Sequence, residues 1–378
     1  MTVGLLPALT DEQAMLLDAT VRFIEAEFPM EAVRERADGG GGPDAGYLPA
    51  AARLGWLGML ADEAHGGGSA SGNGLLDAAI IAAERGARLQ PGPFAGHSVV
   101  VHALSKAGSP GQRDVLAGLV EGRCWATWVA DGSGAGPAGQ HVALRDEGDG
   151  LLLDGTADGV PDAVDCEWLL VAASGRGGLA QVLVPAGAPG VSVRRLEGLD
   201  LTRRWCAVEL NGVRLPAEAI VGVPGRPTEQ LVRSQAEIGC VLSAAEAVGA
   251  MDANFRLALD YAKSRIAFGR PIGSFQAIKH VLADSSLFLE MSKGIVAAAA
   301  GALGRGAPDG PALAHAAKSF VGERGIELTH ACFQVFGGIG YTWEHDQHLF
   351  MRRLAAEAAA FGPPAWHRER LFDVAGVG

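Results

Sequence analysis

The chain is poor in cysteine, in basic residues and in long apolar runs. Its 378 residues include five cysteines, widely spaced and without a C-x-x-C pair, which argues against a disulfide framework or a metal site. We expect each cysteine to be a small core residue. Lys and Arg number 31 against 43 Asp and Glu, a net charge of −12 without basic clusters. Nucleic-acid binding is therefore not expected.

Apolar runs are too short to cross a membrane, because no window holds 18 consecutive apolar residues, and 294–303 is predicted to be part of a buried helix. Residues 1–10 lack the basic start and the cleavage pattern of a signal peptide. We therefore predict a cytoplasmic protein that does not engage a membrane. Glycine is abundant, at 54 residues, beside 48% hydrophobic and 20% charged residues. This balance is typical of a folded chain of two or three domains.

Three regions differ in their pattern. Residues 1–122 are rich in Ala and Leu; Thr10 and Gln13 form a capping box that predicts a helix start, and Gly39–Gly46 and Gly66–Gly74 predict loops. Residues 123–226 contain short β-rich runs between turn residues, typical of an antiparallel β domain, either a sandwich or a small barrel. These runs are Trp125–Val129, Leu151–Leu153, Trp168–Ala172, Gln181–Val184, Val191–Val193, Ala207–Leu210 and Ala219–Val221.

Residues 227–378 return to long Ala-rich helical stretches, which extend to about Phe350. Within them, Phe275, Ile278, Leu282 and Leu289 follow the spacing of a bundle helix. The order helix, strand, helix excludes the alternating plan of a Rossmann fold or a TIM barrel. The predicted fold class is α+β, mainly α. We expect an N-terminal helical domain (1–122), a middle antiparallel β domain (123–226) and a C-terminal helical bundle (227–378).

Two segments carry candidate chemistry. Gly337-Gly338-Ile339-Gly340 lacks the third glycine of G-x-G-x-x-G and follows a predicted helix, so it is not a dinucleotide fingerprint. Its glycines allow either a helix C-cap or the close approach of an anionic group to bare backbone amides. The segment 265–276 places guanidinium, aromatic and amide groups around one turn. That set suits a pyrophosphate with an aromatic cofactor, or an ordinary ion pair with core packing.

These segments, Y-A-K-S-R-I-A-F-G-R-P-I-G-S-F-Q-A-I-K-H-V-L-A-D (Tyr261–Asp284) and Q-V-F-G-G-I-G-Y-T-W-E-H (Gln334–His345), resemble the acyl-CoA dehydrogenase family of flavoproteins. The length and the order of regions match over essentially the whole chain. The resemblance implies a four-helix bundle, a dimer or tetramer, an acyl-CoA substrate and an electron-transfer acceptor. It also implies a grip on the pyrophosphate and adenosine end of an FAD whose flavin lies in the neighbouring subunit, through Arg265, Phe268, Gln276, Gln334, Gly337 and Gly338.

The general base of the family is missing from its usual positions. In the family, a Glu removes the α-proton of the thioester while a hydride leaves the β-carbon for the flavin. Most members place it 24 residues after the first Gly of G-G-x-G, here Phe361, and a minority 26 residues before the Arg of R-x-x-F-G, here Gly239. Glu246, about 10 Å along the helix from Gly239, is the candidate substitute. Glu237 is a second candidate; a buried or interface ion pair and a solvated face are the alternatives for the two.

The β domain also departs from the family pattern. The T-E-P-x-x-G-S-D and K-x-[WY]-[IV]-[TS] segments, which hold the flavin in the family, correspond here to Ala126–Ser133 and Asp154–Ala163. Trp128, Asp131 and Val160–Asp162 are candidates for the flavin side, against a packed Trp and turn residues. We expect Arg203 and Arg204 to be structural surface or interface arginines rather than CoA ligands.

The elements lent to a neighbour's FAD are therefore retained, whereas those that hold the chain's own flavin and base are altered. The C-terminal stretches are similar to those of heteromeric acyl-CoA dehydrogenases of steroid side-chain degradation. Two hypotheses follow. The chain is an FAD-dependent acyl-CoA dehydrogenase subunit that forms an α,β-double bond without the usual Glu, or a non-catalytic partner that completes the FAD site of a catalytic paralogue. Other flavin chemistry with an Asp base is the remaining alternative.

Overall fold

The computed structural model describes residues 2–39, 46–130, 142–148 and 150–375. The predicted Gly39–Gly46 loop lies almost wholly outside these residues, as does the flavin-side candidate Asp131. The element order confirms an α+β, mainly helical fold. The division into three domains at 122 and 226 stays a prediction.

Six helices precede the first strand: α1 (Asp11–Glu27), α2 (Met30–Ala37), α3 (Tyr47–Arg53), α4 (Gly74–Ala87), α5 (Phe94–Ala107) and α6 (Arg113–Val120). The predicted capping box is confirmed at α1. The Gln13 amide donates to Thr10 Oγ1 and the Thr10 amide to Gln13 Oε1, each at 3.2 Å. Two of the first orphan amides of α1 are thereby satisfied. Asn73, at the end of the Gly66–Gly74 loop, caps α4, because its side-chain oxygen accepts a hydrogen bond from the Leu76 amide.

The described residues of the middle region form one sheet of eight strands: β1 (Ala126–Val129), β2 (Val142–Glu147), β3 (Gly150–Pro161), β4 (Trp168–Gly175), β5 (Gly178–Pro185), β6 (Val191–Arg195), β7 (Trp205–Pro216) and β8 (Ile220–Val221). The strand order is β6-β7-β3-β2-β4-β5-β8, with β1 beside β4. Strand β2 was not among the predicted runs. Its second half, Arg145 to Glu147, is charged and exposed, so it shows no apolar alternation.

The expected antiparallel β domain is confirmed for most of the sheet, but two of its pairings are parallel. Strand β1 pairs with β4 in parallel, with Ala126 opposite Trp168, and β2 also meets β4 in parallel at Ala143 and Ser174. The chain reverses direction between β2 and β3 and again before β4, so β2 and β4 point the same way. The remaining pairings of the sheet are antiparallel.

Strand β4 is buried on both faces. Leu169, Val171 and Ala173 belong to a small core formed within the sheet region, whereas Leu170 and Ala172 belong to the large core shared with the helices. A strand covered on both sides reads as a continuous apolar run rather than an alternating one. The sheet therefore packs against helices that precede it and helices that follow it in the chain.

The C-terminal region contains α7 (Arg226–Ser264), α8 (Gln276–Gly304), α9 (Gly310–Phe336), α10 (Gln347–Ala359) and α11 (Pro364–Ala375), with a short hairpin of β9 (Ile266–Ala267) and β10 (Arg270–Pro271). The expected end of helical structure near Phe350 is wrong, because α10 continues and α11 follows. Helices α7 to α10 form the bundle, and α9 packs on each of the other three.

Helices α4 and α7 approach each other at backbone distance. A Cβ atom on Gly86 would lie 1.9 Å from the Glu246 carbonyl oxygen, and one on Gly249 would lie 1.8 Å from that of Ala83. Only glycine fits at these two positions. This close approach brings Arg85 of α4 to the side chain of Glu246.

Helix α8 is the one helix among the described residues that is long and apolar enough to cross a membrane by length and composition. In the fold it is a bundle helix, with Leu282 and Leu289 buried as the spacing predicted. The five cysteines are free; four are buried, and Cys124 is half-buried and packs against the large core.

Candidate functional site

A cavity of about 350 Å³ lies where α10 faces strands β1 and β3. Three alanines of α10 and its C-cap residue, Ala360, form one wall, and aromatic and aliphatic side chains form the others. The apolar lining includes Phe94, Trp128, Val160, Leu199, Trp205, Ala355, Ala356, Ala359 and Ala360. The polar and charged lining consists of Asp200, Arg203, Ser243 and Glu357. Phe361 closes one end. A mostly apolar cavity with a few converging polar groups is the usual form of a small-molecule site.

The two positions at which the family carries its base lie against each other. A Cβ atom on Gly239 of α7 would lie 2.2 Å from Cε1 of Phe361, so the phenyl ring occupies the space that a side chain at 239 would need. Neither position carries a carboxylate. The usual base site is therefore filled by an apolar ring that packs on a glycine.

Phe361 has a left-handed backbone conformation, with φ of 55°, which is costly for a residue with a bulky side chain. Its carbonyl oxygen lies 3.0 Å from His367 Nε2 and 3.7 Å from Cys240 Sγ. His315 Nδ1 lies 2.9 Å from His367 Nδ1. These partners hold the strained residue in place behind the cavity wall, and burial lowers the pKa of His367 to about 3.

Trp128 of β1 faces Phe361 across the cavity. The two rings are nearly parallel, at 25°, with centroids 6.5 Å apart. A further ring stacked between two others needs about 7 Å, twice the van der Waals contact distance of about 3.5 Å. The centroids of Trp128 and Phe361 are thus slightly closer together than such a sandwich requires.

Arg203, which lines the cavity, joins two buried carboxylates, of which Glu357 also lines it. Its Nη2 lies 2.6 Å from Glu246 Oε2 and its Nη1 lies 2.7 Å from Glu357 Oε1. Ser243 Oγ donates to the other Glu357 oxygen at 2.7 Å, and Arg85 Nε lies 3.8 Å from Glu246. Burial raises the pKa of Glu357 more than Arg203 lowers it. Burial also opposes ionisation of Glu246, but Arg203 and Arg85 outweigh it and lower its pKa.

The structure places the candidate base Glu246 in this buried ion cluster and not on the cavity wall. Its assignment as a base stays a prediction, and the ion pair is the alternative that the geometry favours. Sequence reasoning missed Glu357, which lines the cavity one helical turn before Phe361. The four-residue spacing was the signal that could have found it.

Glu237, the second candidate, is 6% exposed and does not line the cavity. Burial, opposed by Arg233, raises its pKa to about 7. The expectation that Arg203 is a surface or interface arginine is wrong, because it is 6% exposed and pairs with two buried carboxylates. Arg204 is half-buried and pairs with Asp165 at 2.6 Å. The apolar spacing of L-D-L-T-R-R-W did not show that Arg203 is buried whereas Arg204 is only half-buried.

The six residues predicted to grip FAD are exposed. Arg265 directly follows α7, Phe268 lies in the β9–β10 turn and is 95% exposed, and Gln276 begins α8. Gln334 lies in the last turn of α9, and Gly337, with φ of 62°, ends it. Tyr261 and Phe336, in the last turns of α7 and α9, have ring centroids 5.2 Å apart. The two segments therefore end side by side at one end of the bundle, which we call the bundle end.

Comparison with known proteins agrees with this architecture. The acyl-CoA dehydrogenase N-terminal domain model matches residues 10–123 and the C-terminal domain model matches residues 230–375. The chain belongs to the acyl-CoA dehydrogenase family. It is 29% identical over 370 residues to acyl-CoA dehydrogenase IpdE2 of Mycolicibacterium smegmatis, covering 96% of this chain and 98% of that protein.

Solved structures of acyl-CoA dehydrogenases superpose over nearly the full length. The ChsE4–ChsE5 complex of Mycobacterium tuberculosis is 25% identical with a TM-score of 0.85, covering 98% of this chain and 99% of that one. The Tcur3481–Tcur3483 steroid ACAD is 26% identical with a TM-score of 0.84, covering 97% and 98%. The family resemblance stated from the motifs is confirmed.

The residues of this chain suit one half of an FAD better than the other. At the bundle end, the described residues give Arg265 no ion pair, and a Cβ on Gly338 would meet nothing within 4 Å. An exposed guanidinium and open backbone suit a pyrophosphate. At the flavin side, Pro161 has no N–H to donate, and the buried Asp162 is ion-paired with Arg36 and Arg203. The residues fit the adenosine half and do not fit the flavin half.

Proposed function

We propose that this chain is the subunit of a hetero-oligomeric acyl-CoA dehydrogenase that completes the FAD site of a related subunit and carries no general base of its own. The observation that supports this most directly is the packing of Phe361 on Gly239. It fills with one apolar ring the region where both known base positions meet. The proposal corresponds to the second hypothesis from the sequence, the non-catalytic partner that completes the FAD site of a catalytic paralogue.

The spatial requirement of the reaction supports the same proposal. FAD supplies the hydride acceptor in this family, and the base lies on the other side of the acyl chain, so the reacting bond needs room between them. Here Trp128, on the flavin side, is stacked on Phe361, on the base side, with centroids 6.5 Å apart. The chain's own cavity therefore leaves little room for the reacting carbons between these two rings.

At the bundle end, the residues proposed to act on the neighbour's FAD are those that the motifs named. We infer that Arg265 binds the pyrophosphate and that Phe268 and Gln276 contact the adenosine end. Gln334, Gly337 and Gly338 present polar and open backbone surface beside them. The ChsE4–ChsE5 complex, formed from two different chains, supports a hetero-oligomer. The Tcur3481–Tcur3483 steroid ACAD further suggests a steroid-type acyl-CoA substrate. The cytoplasmic setting predicted from the sequence and the electron-transfer acceptor implied by the family resemblance belong to the same proposal.

A catalytically complete subunit is the second candidate. It is favoured by Glu357, a buried carboxylate on the cavity wall whose pKa is raised. Glu246 is the other carboxylate proposed as a base, although Arg203 holds it away from the cavity lining. In this alternative, Trp128 and Phe361 must move apart before a substrate can bind.

Flavin content separates the two candidates. We expect the chain purified alone to be colourless, and the assembly purified through a tag on this chain to contain about one FAD for every two subunits. Stoichiometric FAD in the isolated chain, bleached by an acyl-CoA, would contradict the partner role. In the assembly, Glu357→Gln and Glu246→Gln should leave turnover essentially unchanged. A loss of several orders of magnitude in either variant would identify that carboxylate as the base.

A further inference from the structure

We propose that Arg34 of helix α2 positions the glycine segment, residues 337–346, that this chain lends to its neighbour's FAD. The inference rests on the proposed function and adds a residue from the N-terminal region to that site. None of the six motif residues lies in this region.

The guanidinium of Arg34 makes three contacts with the end of the glycine segment. Nε lies 2.6 Å from Asp346 Oδ1, Nη1 donates to the Trp343 carbonyl at 3.1 Å, and Nη2 donates to the Glu344 carbonyl. One planar group thus spans four consecutive residues of the segment. A guanidinium can satisfy several acceptors in fixed geometry, which a lysine ammonium cannot do in the same way.

A second contact fixes the same segment to Asp38, the C-cap residue of α2. Trp343 Nε1 donates to Asp38 Oδ1 at 3.0 Å, and the indole stacks on His348 with centroids 4.8 Å apart. Helix α2 is itself held on the β region, because Arg36 lies 3.5 Å from both Asp162 and Asp165. The segment is therefore fastened to an element with its own anchor.

The position of residues 343–346 determines the path of the glycines. The Thr342 amide donates to the Ile339 carbonyl at 3.1 Å, and the His345 amide to the Thr342 carbonyl at 3.3 Å. The His345 ring lies 4.4 Å from that of Phe336, directly before Gly337. The segment is a series of hydrogen-bonded turns between α9 and the Arg34 contacts. A Cβ atom on either of the two exposed glycines, Gly337 and Gly338, would meet nothing within 4 Å, so no neighbouring group packs over that side of them among the described residues.

The test compares Arg34→Ala with Arg22→Ala, which removes an exposed arginine paired only with Asp18 on α1. In the isolated chain, Arg34→Ala should speed hydrogen exchange of the amides at 339–346 about tenfold, with exchange inside α9 unchanged. In the tagged assembly it should raise the Kd for FAD about tenfold, with kcat at saturating FAD unaltered. Arg34→Lys should not restore the Kd. Asp346→Asn, which keeps a helix-capping residue, serves as a milder second variant.

Each outcome decides one part of the proposal. Unchanged exchange at 339–346 in both Arg34→Ala and Asp346→Asn overturns the positioning contact. Faster exchange with an unaltered Kd for FAD, or full recovery by Arg34→Lys, overturns the role in cofactor binding. Absence of FAD from the wild-type assembly instead overturns the proposed function, and the exchange result then still shows whether Arg34 holds the segment.

Discussion

The cavity and the bundle end lie in one chain but differ in the burial and pairing of their polar side chains. At the cavity, charged side chains are buried and paired with each other, as Arg203 is with Glu246 and Glu357. At the bundle end, the motif residues are exposed, and the described part of the chain gives Arg265 no ion pair. Groups satisfied within the chain contribute to its stability, whereas groups left open are available to another molecule. The comparison indicates that this subunit keeps the family's active-site region as a stable core and its bundle end as a binding surface.

The largest effect on stability is expected from Arg203→Leu. The substitution leaves Glu246 and Glu357 buried without their shared cation, a loss of about 3–5 kcal/mol in the free energy of unfolding. Urea denaturation of the isolated chain measures it. Arg204→Leu is the matched control and should cost about 1 kcal/mol or less, because Arg204 is half-buried and pairs with Asp165 alone. Equal losses of stability in the two variants would contradict the greater importance of the buried Arg203 cluster.

A methyl group on Gly239 tests the packing of Phe361. Gly239→Ala should cost about 1–3 kcal/mol, because the new Cβ overlaps the phenyl ring. Phe361→Ala should cost about 2–3 kcal/mol through the lost ring. The double variant should be more stable than the sum of the two losses predicts by about 1 kcal/mol or more. Additive losses in denaturant melts would show that the two residues do not pack as described.

The next effect depends on pH and concerns Glu237. Its pKa in the folded chain is about 7, above its ordinary value of 4.5, so the folded state binds the proton more tightly than the unfolded state. This contribution to stability is present at low pH and is lost as the pH rises from about 4.5 through 7. Glu237→Gln should therefore raise stability by about 1–2 kcal/mol at pH 8 and change it little at pH 4. Thermal melts across this range measure the difference, and a pH-independent effect would contradict the shift.

The smallest effect on stability is expected at the bundle end. Arg265→Ala should change the free energy of unfolding of the isolated chain by less than about 0.5 kcal/mol, as is usual for an exposed residue. The same variant should strongly reduce the flavin content of the tagged assembly, measured by absorbance. Arg22→Ala, equally exposed, should change neither quantity. A destabilised isolated chain would show that Arg265 supports the fold, and the contrast between the two regions would then fail.

Local signals in the sequence predicted local features well. The capping box at Thr10, the apolar spacing of α8 and the end of α9 before Gly337 each depend on residues a few positions apart. The parallel pairing of β1 with β4 could not be predicted in this way, because it joins residues about 40 positions apart. The fully buried β4 likewise gave no alternation from which its two faces could be read.

The candidate site shows the same difference between features set by nearby residues and features set by residues far apart in the sequence. The bundle-end residues belong to continuous motifs, so their exposure at one end of the bundle followed from the helix ends. Burial of Arg203 depends on Glu246 and Glu357, which come from two different helices and lie 43 and 154 positions away. The packing of Phe361 on Gly239 depends on residues 122 positions apart, and counting from each motif separately showed only that both bases were missing.

The packing of Phe361 on Gly239 also sets the order in which mutation could bring back a base. A glutamate at 239 is blocked while Phe361 remains, since even a Cβ would lie 2.2 Å from its ring. A glutamate at 361 meets no such obstacle, because Gly239 leaves the space open and the left-handed backbone is already in place. A glutamate at one of the two family base positions thus requires a single substitution, whereas a glutamate at the other requires Phe361 to be replaced first.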